Sequence, residues 1–294
     1  MHTIEARNRR AVRGWRRCAA SVQWLSASAL WLCALGSASC VKFASELDTV
    51  APAEGIGSLA NGEVPVGRDW SCGVDRAAEL VGTGSQQPLR YSFTLLDFTT
   101  RQPLDGVSVR ACIRADVNCD NPLSEASSGV GSAQVSAYEG FNGYLELTVP
   151  GMLPSLLFFA APWSAELLAE LEGVPVSLLP EVSLQALGGA ANVQLDPLAG
   201  VVAVTALDCT AAYAGGVRLE LDRVATPYAF IDDLPVVNRD STSAQGVAGF
   251  VNVMPGIVVV SGFRADVSEP VSVESMLVRT GWVSQSFLLP AFSR

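Results

Sequence analysis

Apolar and polar side chains alternate along short stretches of this chain, and the pattern breaks at glycine, proline and aspartate. Val107, Val109, Ala111 and Ile113 fall on one side of such a stretch, with Ser108 and Arg110 on the other; Leu145, Leu147 and Val149 likewise oppose Tyr144, Glu146 and Thr148. A period of two sets one row against a core and the other toward water, so each run predicts a strand of a half-buried antiparallel sheet. Val201-Val202-Ala203-Val204, Ile257-Val258-Val259-Val260 and Val271-Ser272-Val273 predict further strands bounded by turn formers. Leu156 to Phe159 reads as a buried strand. After it the period changes: behind Ser164, a side chain suited to capping a helix, Leu167, Leu168 and Leu171 recur at helical spacing up to Gly173. A second short helix is expected over Val182 to Leu187.

The strand-like phrases recur. DFTTRQPLDGVSVRACI begins at Asp97 and DCTAAYAGGVRLELD at Asp208, 111 residues later; Gly106 and Gly216 are 110 apart. GYLELTVPG begins at Gly143 and GFVNVMPG at Gly249, 106 apart. Three landmarks in one order at similar spacing predict a repeated domain. The expected architecture is all-β: two tandem antiparallel β-sandwich domains, residues 70–162 and 199–294, joined by a connector with short helices at 163–198. Residues 40–69, rich in small and acidic side chains, read as a flexible tether.

The first 39 residues have the order of an export signal. Six arginines and one acid, Glu5, precede the apolar run CAASVQWLSASALWLCALG, and the small residues Ser37-Ala38-Ser39 come before Cys40. Ser21, Gln23, Ser26 and Ser28 weaken the alternative of a retained membrane helix. A cysteine at that place resembles a bacterial lipobox, with Ser37 standing where leucine is usual. Lipidation of Cys40 would hold the chain on a membrane, at the outer membrane or in the periplasm, and ordinary cleavage after Ser39 would release it.

Charge and composition narrow the function. Removing residues 1–39 takes six of the 19 basic residues and one of the 29 acids, leaving a net charge of −15. Such a balance argues against nucleic-acid partners, whose affinity rests largely on Lys and Arg. The one histidine, His2, leaves with the signal. Without imidazole the mature chain lacks the usual base of a nucleophilic triad and the usual ligand of catalytic zinc. Paired carboxylates stay arithmetically possible, yet Asp232-Asp233 and Asp240 sit in turn-like contexts. The chain carries no Gly-rich phosphate loop of the Walker type and no dinucleotide fingerprint. No catalytic residue, metal ligand or cofactor is assigned.

Cys72, Cys112, Cys119 and Cys209 form an even set in an exported chain, so oxidised pairs are expected, in any of three connectivities. The turn formers of IRADVN favour Cys112 with Cys119, which leaves Cys72 with Cys209. Asp116-Val117-Asn118-Cys119-Asp120 has the alternating oxygens of a calcium loop, but Asn121 stands where glycine is wanted and Ser127 where the bidentate acid is wanted. Trp70, Trp163, Trp282, Tyr138, Phe141 and Tyr144 could form an aromatic platform for sugar rings or a protein; core filling is the commoner use. Tyr144 is expected to be the exposed exception, because Leu145 and Leu147 occupy the inner face.

Trp70-Ser71-Cys72, QPLDGVSVRACIRADVNCDNPL and GFNGYLELTVPG, with ALDCTAAYAGGVRLEL and GFVNVMPG in the second copy, resemble carboxypeptidase regulatory-like domains of transthyretin type, as paired in predicted bacterial surface lipoproteins. The second copy lacks the cysteine loop of the first. The resemblance implies β-sandwich modules without catalytic residues. Related Cna-B-type domains lock themselves with a Lys-Asn bond, but Lys42, the one lysine, lies in the tether. The expected function is a non-catalytic, lipid-anchored cell-envelope protein for adhesion, scaffolding or complex formation. The alternative is a carbohydrate-binding module.

Overall fold

The computed structural model describes residues 87–231, 234–264 and 268–290. The expected signal, Cys40, the tether, Trp70 and Cys72 lie outside the described residues. The fold is an all-β sandwich.

In the first half, β1 (Pro88–Asp97) pairs antiparallel with β4 (Ser132–Tyr138) and parallel with β7 (Val176–Leu178), giving a small sheet of order β4-β1-β7. A second layer is built from β3 (Ser124–Ser127), β2 (Ser108–Ile113), β5 (Gly143–Thr148) and β6 (Ser155–Phe159). The second half repeats these pairings. There β8 (Gly200–Ala206) pairs antiparallel with β12 (Val247–Val253) and parallel with β15 (Val283–Leu288), extended by β10 (Thr226–Ile231) and β11 (Leu234–Val237). Its facing sheet is β9 (Arg218–Leu221), β13 (Gly256–Phe263) and β14 (Pro270–Val278), in the order β14-β13-β9.

The correspondence reaches single hydrogen bonds. Asp97 accepts the amides of Thr99 and Thr100, and Asp208 accepts those of Thr210 and Ala212, each closing the same kind of turn. Arg101 and Ala211 both adopt a left-handed backbone, at φ 59° and 58°, and Gly106 and Gly216 follow at 71° and 77°. Ser128 Oγ accepts from the Val107 amide and donates to the Leu104 carbonyl; Thr242 Oγ1 accepts from Val217 and donates to Ala214. A hydroxyl at that place satisfies one buried donor and one buried acceptor together. The third landmark differs: Gly143 opens β5, whereas Gly249 lies inside β12, whose pairing matches that of β4. Both glycines are required by crowding. A Cβ at Gly143 would meet the Phe141 ring at 2.3 Å, and one at Gly249 the Val202 carbonyl oxygen at 2.0 Å.

The halves join through one sheet. β15 pairs in parallel with β8 on one side and with β6 on the other, so nine strands run continuously as β11-β10-β12-β8-β15-β6-β5-β2-β3. The two small sheets lie on opposite faces of this long sheet. β4-β1-β7 covers one face of the first half, where Tyr91, Phe93 and Leu95 pack on Leu145, Leu147, Leu157 and Phe159. β14-β13-β9 covers the other face of the second half, where Val258, Val260, Met276 and Val278 pack on Val202, Val204 and Phe250. Each face of the long sheet is therefore sandwiched over half its length only.

Residues between the halves are packed. Ser164 accepts the Leu167 amide at 3.1 Å and starts α1 (Ala165–Glu170), which buries Leu167 and Leu168. The chain then adds β7, which alternation had not indicated, and enters α2 (Glu181–Ala190).

Candidate functional site

Two regions carry what the sandwich cores leave over. They are the two half-faces of the long sheet that no second sheet covers.

On the first half, the uncovered face bears an ionic cluster. β2 and β5 place Arg110 opposite Glu146 in register, and the guanidinium and carboxylate form a salt bridge. Arg279, just past β14, reaches across from the second half: Nη1 donates to Glu146 Oε2 at 2.6 Å, and Nη2 donates to the Tyr144 hydroxyl at 3.1 Å and to the Val117 carbonyl at 2.5 Å. Its guanidinium also lies over the rings of Trp282 and Tyr144. Arg114 makes the reverse crossing, donating to Glu274 Oε1 at 2.6 Å, to the Ser275 carbonyl at 2.5 Å and to Asn142. Glu146 is 5% exposed and Glu274 3%, so both carboxylates are committed to arginines in a poorly solvated place. Hydrogen bonding to Glu146 raises the pKa of Arg110, and burial raises that of Tyr144.

This cluster corrects the expectation for Tyr144, which is 1% exposed. The period of two is obeyed, since Leu145 and Leu147 face the first core; the outer row is covered because the second half folds across it. Glu146, expected on the wet face, is buried for the same reason. Trp163 and Phe141 belong to an edge-to-face aromatic cluster with Tyr91 and Phe159 inside the first core. Tyr138 is exposed and meets the buried Phe141 ring edge-to-face, with centroids 6.0 Å apart, so it caps the end of that cluster.

Beside the cluster, Cys112 and Cys119 form a disulfide with Cα atoms 5.4 Å apart. The bridge closes the turn that presents the Asp116 carbonyl to the Tyr144 hydroxyl at 2.5 Å. The Asp116 carboxylate accepts the amides of Asn121 at 2.8 Å and Asp120 at 2.9 Å, and these bonds lower its pKa. Among the described residues, no group of three or more His, Cys, Asp or Glu is placed to hold a metal ion. Cys209 is disulfide-bonded as well.

On the second half, the opposite uncovered face is apolar and concave. Its floor is formed by Val201, Ala203 and Thr205 of β8, Val283 and Gln285 of β15, Val247 and Val251 of β12, and Tyr228 and Phe230 of β10. Leu184 and Leu187 of α2, followed by Val193 and Leu195, form a wall above it. Ala203 keeps the middle of the floor low, and Gly249, its partner on β12, gives room for the Tyr228 hydroxyl, which a Cβ there would meet at 2.9 Å. The cavity measures about 440 Å³, a size that suits a small ligand. Burial raises the pKa of the Tyr228 phenol, which keeps it neutral. Alternation could not show this hollow, because its wall comes from a connector whose apolar residues read as packing.

No family model matches the chain, and no curated protein matches it. Among solved structures it is similar to the shaft pilin SpaA of Lactobacillus rhamnosus GG, at 12% identity over 71% of this chain and 98% of that one, with a TM-score of 0.23. A streptococcal ancillary pilin matches at 10% identity over 70% and 69%, TM-score 0.24. GBS52, the minor pilin of Streptococcus agalactiae, matches at 10% over 69% and 97%, TM-score 0.23. Superpositions this loose transfer nothing about function.

Proposed function

We propose that this chain is a non-catalytic cell-envelope module, exported through its N-terminal 39 residues and held on a membrane by a lipid at Cys40, where it serves adhesion, scaffolding or complex assembly. The observation that carries the reading is the arginine-bound state of Glu146 and Glu274: the buried carboxylates brace one half against the other. Charges spent on ion pairs across a seam stiffen the chain, and a stiff body suits a scaffold. The recurring pairings and turn bonds support a tandem duplication of transthyretin-type sandwiches, with boundaries near 70–162 and 199–294 and a packed connector at 163–198. The oxidised state of Cys209 supports its pairing with Cys72, since Cys112 and Cys119 hold each other. Among the described residues no helix is long and apolar enough to cross a membrane.

The test is metabolic labelling of the full chain with an alkyne-bearing fatty acid, followed by membrane fractionation. The parent chain should take the label and sediment with membranes, and Cys40→Ser should do neither. Equal labelling of both would remove the anchor from the reading. A substrate turned over by the parent and not by a variant lacking one acid would remove the non-catalytic part.

A further inference from the structure

The hollow on the second half is graded along its length. β8 and β15 run parallel along its floor, and at one end Val201, Val251 and Val283 meet Val193 and Leu195, all apolar. Four residues further along β8, about 13 Å at strand rise, the floor reaches Thr205 and Val247, with Phe230 and Gln245 beside them.

The turn after β1 enters at this second end, because the ring of Phe98 packs on that of Phe230 with centroids 5.1 Å apart. It brings Arg101, whose guanidinium lies 5.2 Å above the Phe98 ring and which is the one charged residue among the described lining residues. Thr99 Oγ1 lies 3.0 Å from Ser183 Oγ of α2, which ties the same turn to the wall. Asp97, the acid of this turn, is occupied by the Thr99 and Thr100 amides. The turn itself does not call for arginine: in the repeated turn of the second half the same left-handed position is Ala211. A charge on a strained position, at the polar end of an otherwise apolar hollow, is a feature of this site and not of the repeat.

We propose that the hollow binds a single-tailed amphiphile with an anionic head, its tail lying over Ala203 toward Val201 and Val251 and its head at Arg101. Apolar contact supplies affinity without direction, and one cation at one end fixes the orientation. The site is separate from the ionic cluster and does not depend on membrane anchoring.

The test is calorimetric titration of the purified full chain with laurate, 1-dodecanol and dodecyl phosphate, each below its aggregation limit. Saturable one-to-one binding of laurate or dodecyl phosphate is expected, and the tighter of the two identifies the head as carboxylate or phosphate. Arg101→Glu, on an exposed turn, should weaken the anionic probes about tenfold and leave 1-dodecanol unchanged. Ala203→Phe should abolish binding of all three, and Leu184→Asp on the opposite wall provides the same readout should Ala203→Phe fail to fold. Absence of saturable binding by the parent chain, including the case in which the chain fills its own hollow, overturns the proposal. So does equal weakening of laurate and 1-dodecanol by Arg101→Glu, or full binding in the folded floor or wall variant.

Discussion

The two half-faces left uncovered by the small sheets are built on the same nine strands, yet one is sealed with ion pairs and the other is left hollow. On the first half the outward row of β5 is Tyr144 and Glu146, and arginines from both halves close over it. On the second half the corresponding row is Val201, Ala203 and Thr205 of β8, under a wall of Leu184, Leu187, Val193 and Leu195 that does not fill the space. A charged row demands partners, because an unpaired carboxylate in a poorly solvated place is costly. A row of small apolar residues demands none, and so leaves room. The difference between a seam and a cavity here is a difference of a few side chains on one framework.

That contrast can be broken most severely at the seam. Arg279→Ala removes one of the two partners of Glu146 together with the ring contacts to Trp282 and Tyr144, and should lower unfolding stability by about 3 kcal/mol, measured by chemical denaturation. Replacing Cys112 and Cys119 by serine opens the turn that receives Tyr144; the expected cost is about 2 kcal/mol, read as the same shift under non-reducing conditions. At the hollow the corresponding insult should be mild. Leu184→Ser takes one half-buried side chain from a wall bordering open space, and its stability should change by about 1 kcal/mol or less. A loss as large as that of Arg279→Ala would mean that the wall is core and not a lid.

The smallest effect is pH-dependent. The Asp116 pKa is lowered in the fold by the amides of Asn121 and Asp120, so its stabilising contribution is present above the unfolded carboxylate value, about 3.9, and is lost as pH falls through the lower folded value. Asp116→Ala should therefore melt below the parent at neutral pH and converge with it under strong acid, followed by thermal melts across that range.

Much of this was legible in the sequence, for identifiable reasons. Strands with one buried row announce themselves by alternation, as at Val107, Val109 and Ala111, although Ile113 at the end of β2 is exposed and Cys112 of the other row is buried. Ser164 marks its helix because a hydroxyl before an apolar run is a cap. The Cys112–Cys119 pair followed from turn formers within a short loop. Burial of Tyr144 and Glu146 was not legible, because alternation reports which residues share a face and is silent on what approaches that face from elsewhere. The same limit explains β7, a three-residue strand too short to display a period. It also explains the hollow, which arises where residues of the connector stand over the short side chain of Ala203. The repeated wording pointed to a duplicated unit while aligning two strands that pair differently.

The placement of β15 has a consequence for biogenesis. It is the last described strand in chain order and yet occupies the middle of the long sheet, between β6 and β8. Until the ribosome has delivered it, those two strands present open edges that cannot be closed by anything already made. Assembly of the sheet is thus postponed until synthesis has passed β15. The waiting edges of β6 and β8 need protection in that interval, since an unpaired strand edge invites pairing with another chain.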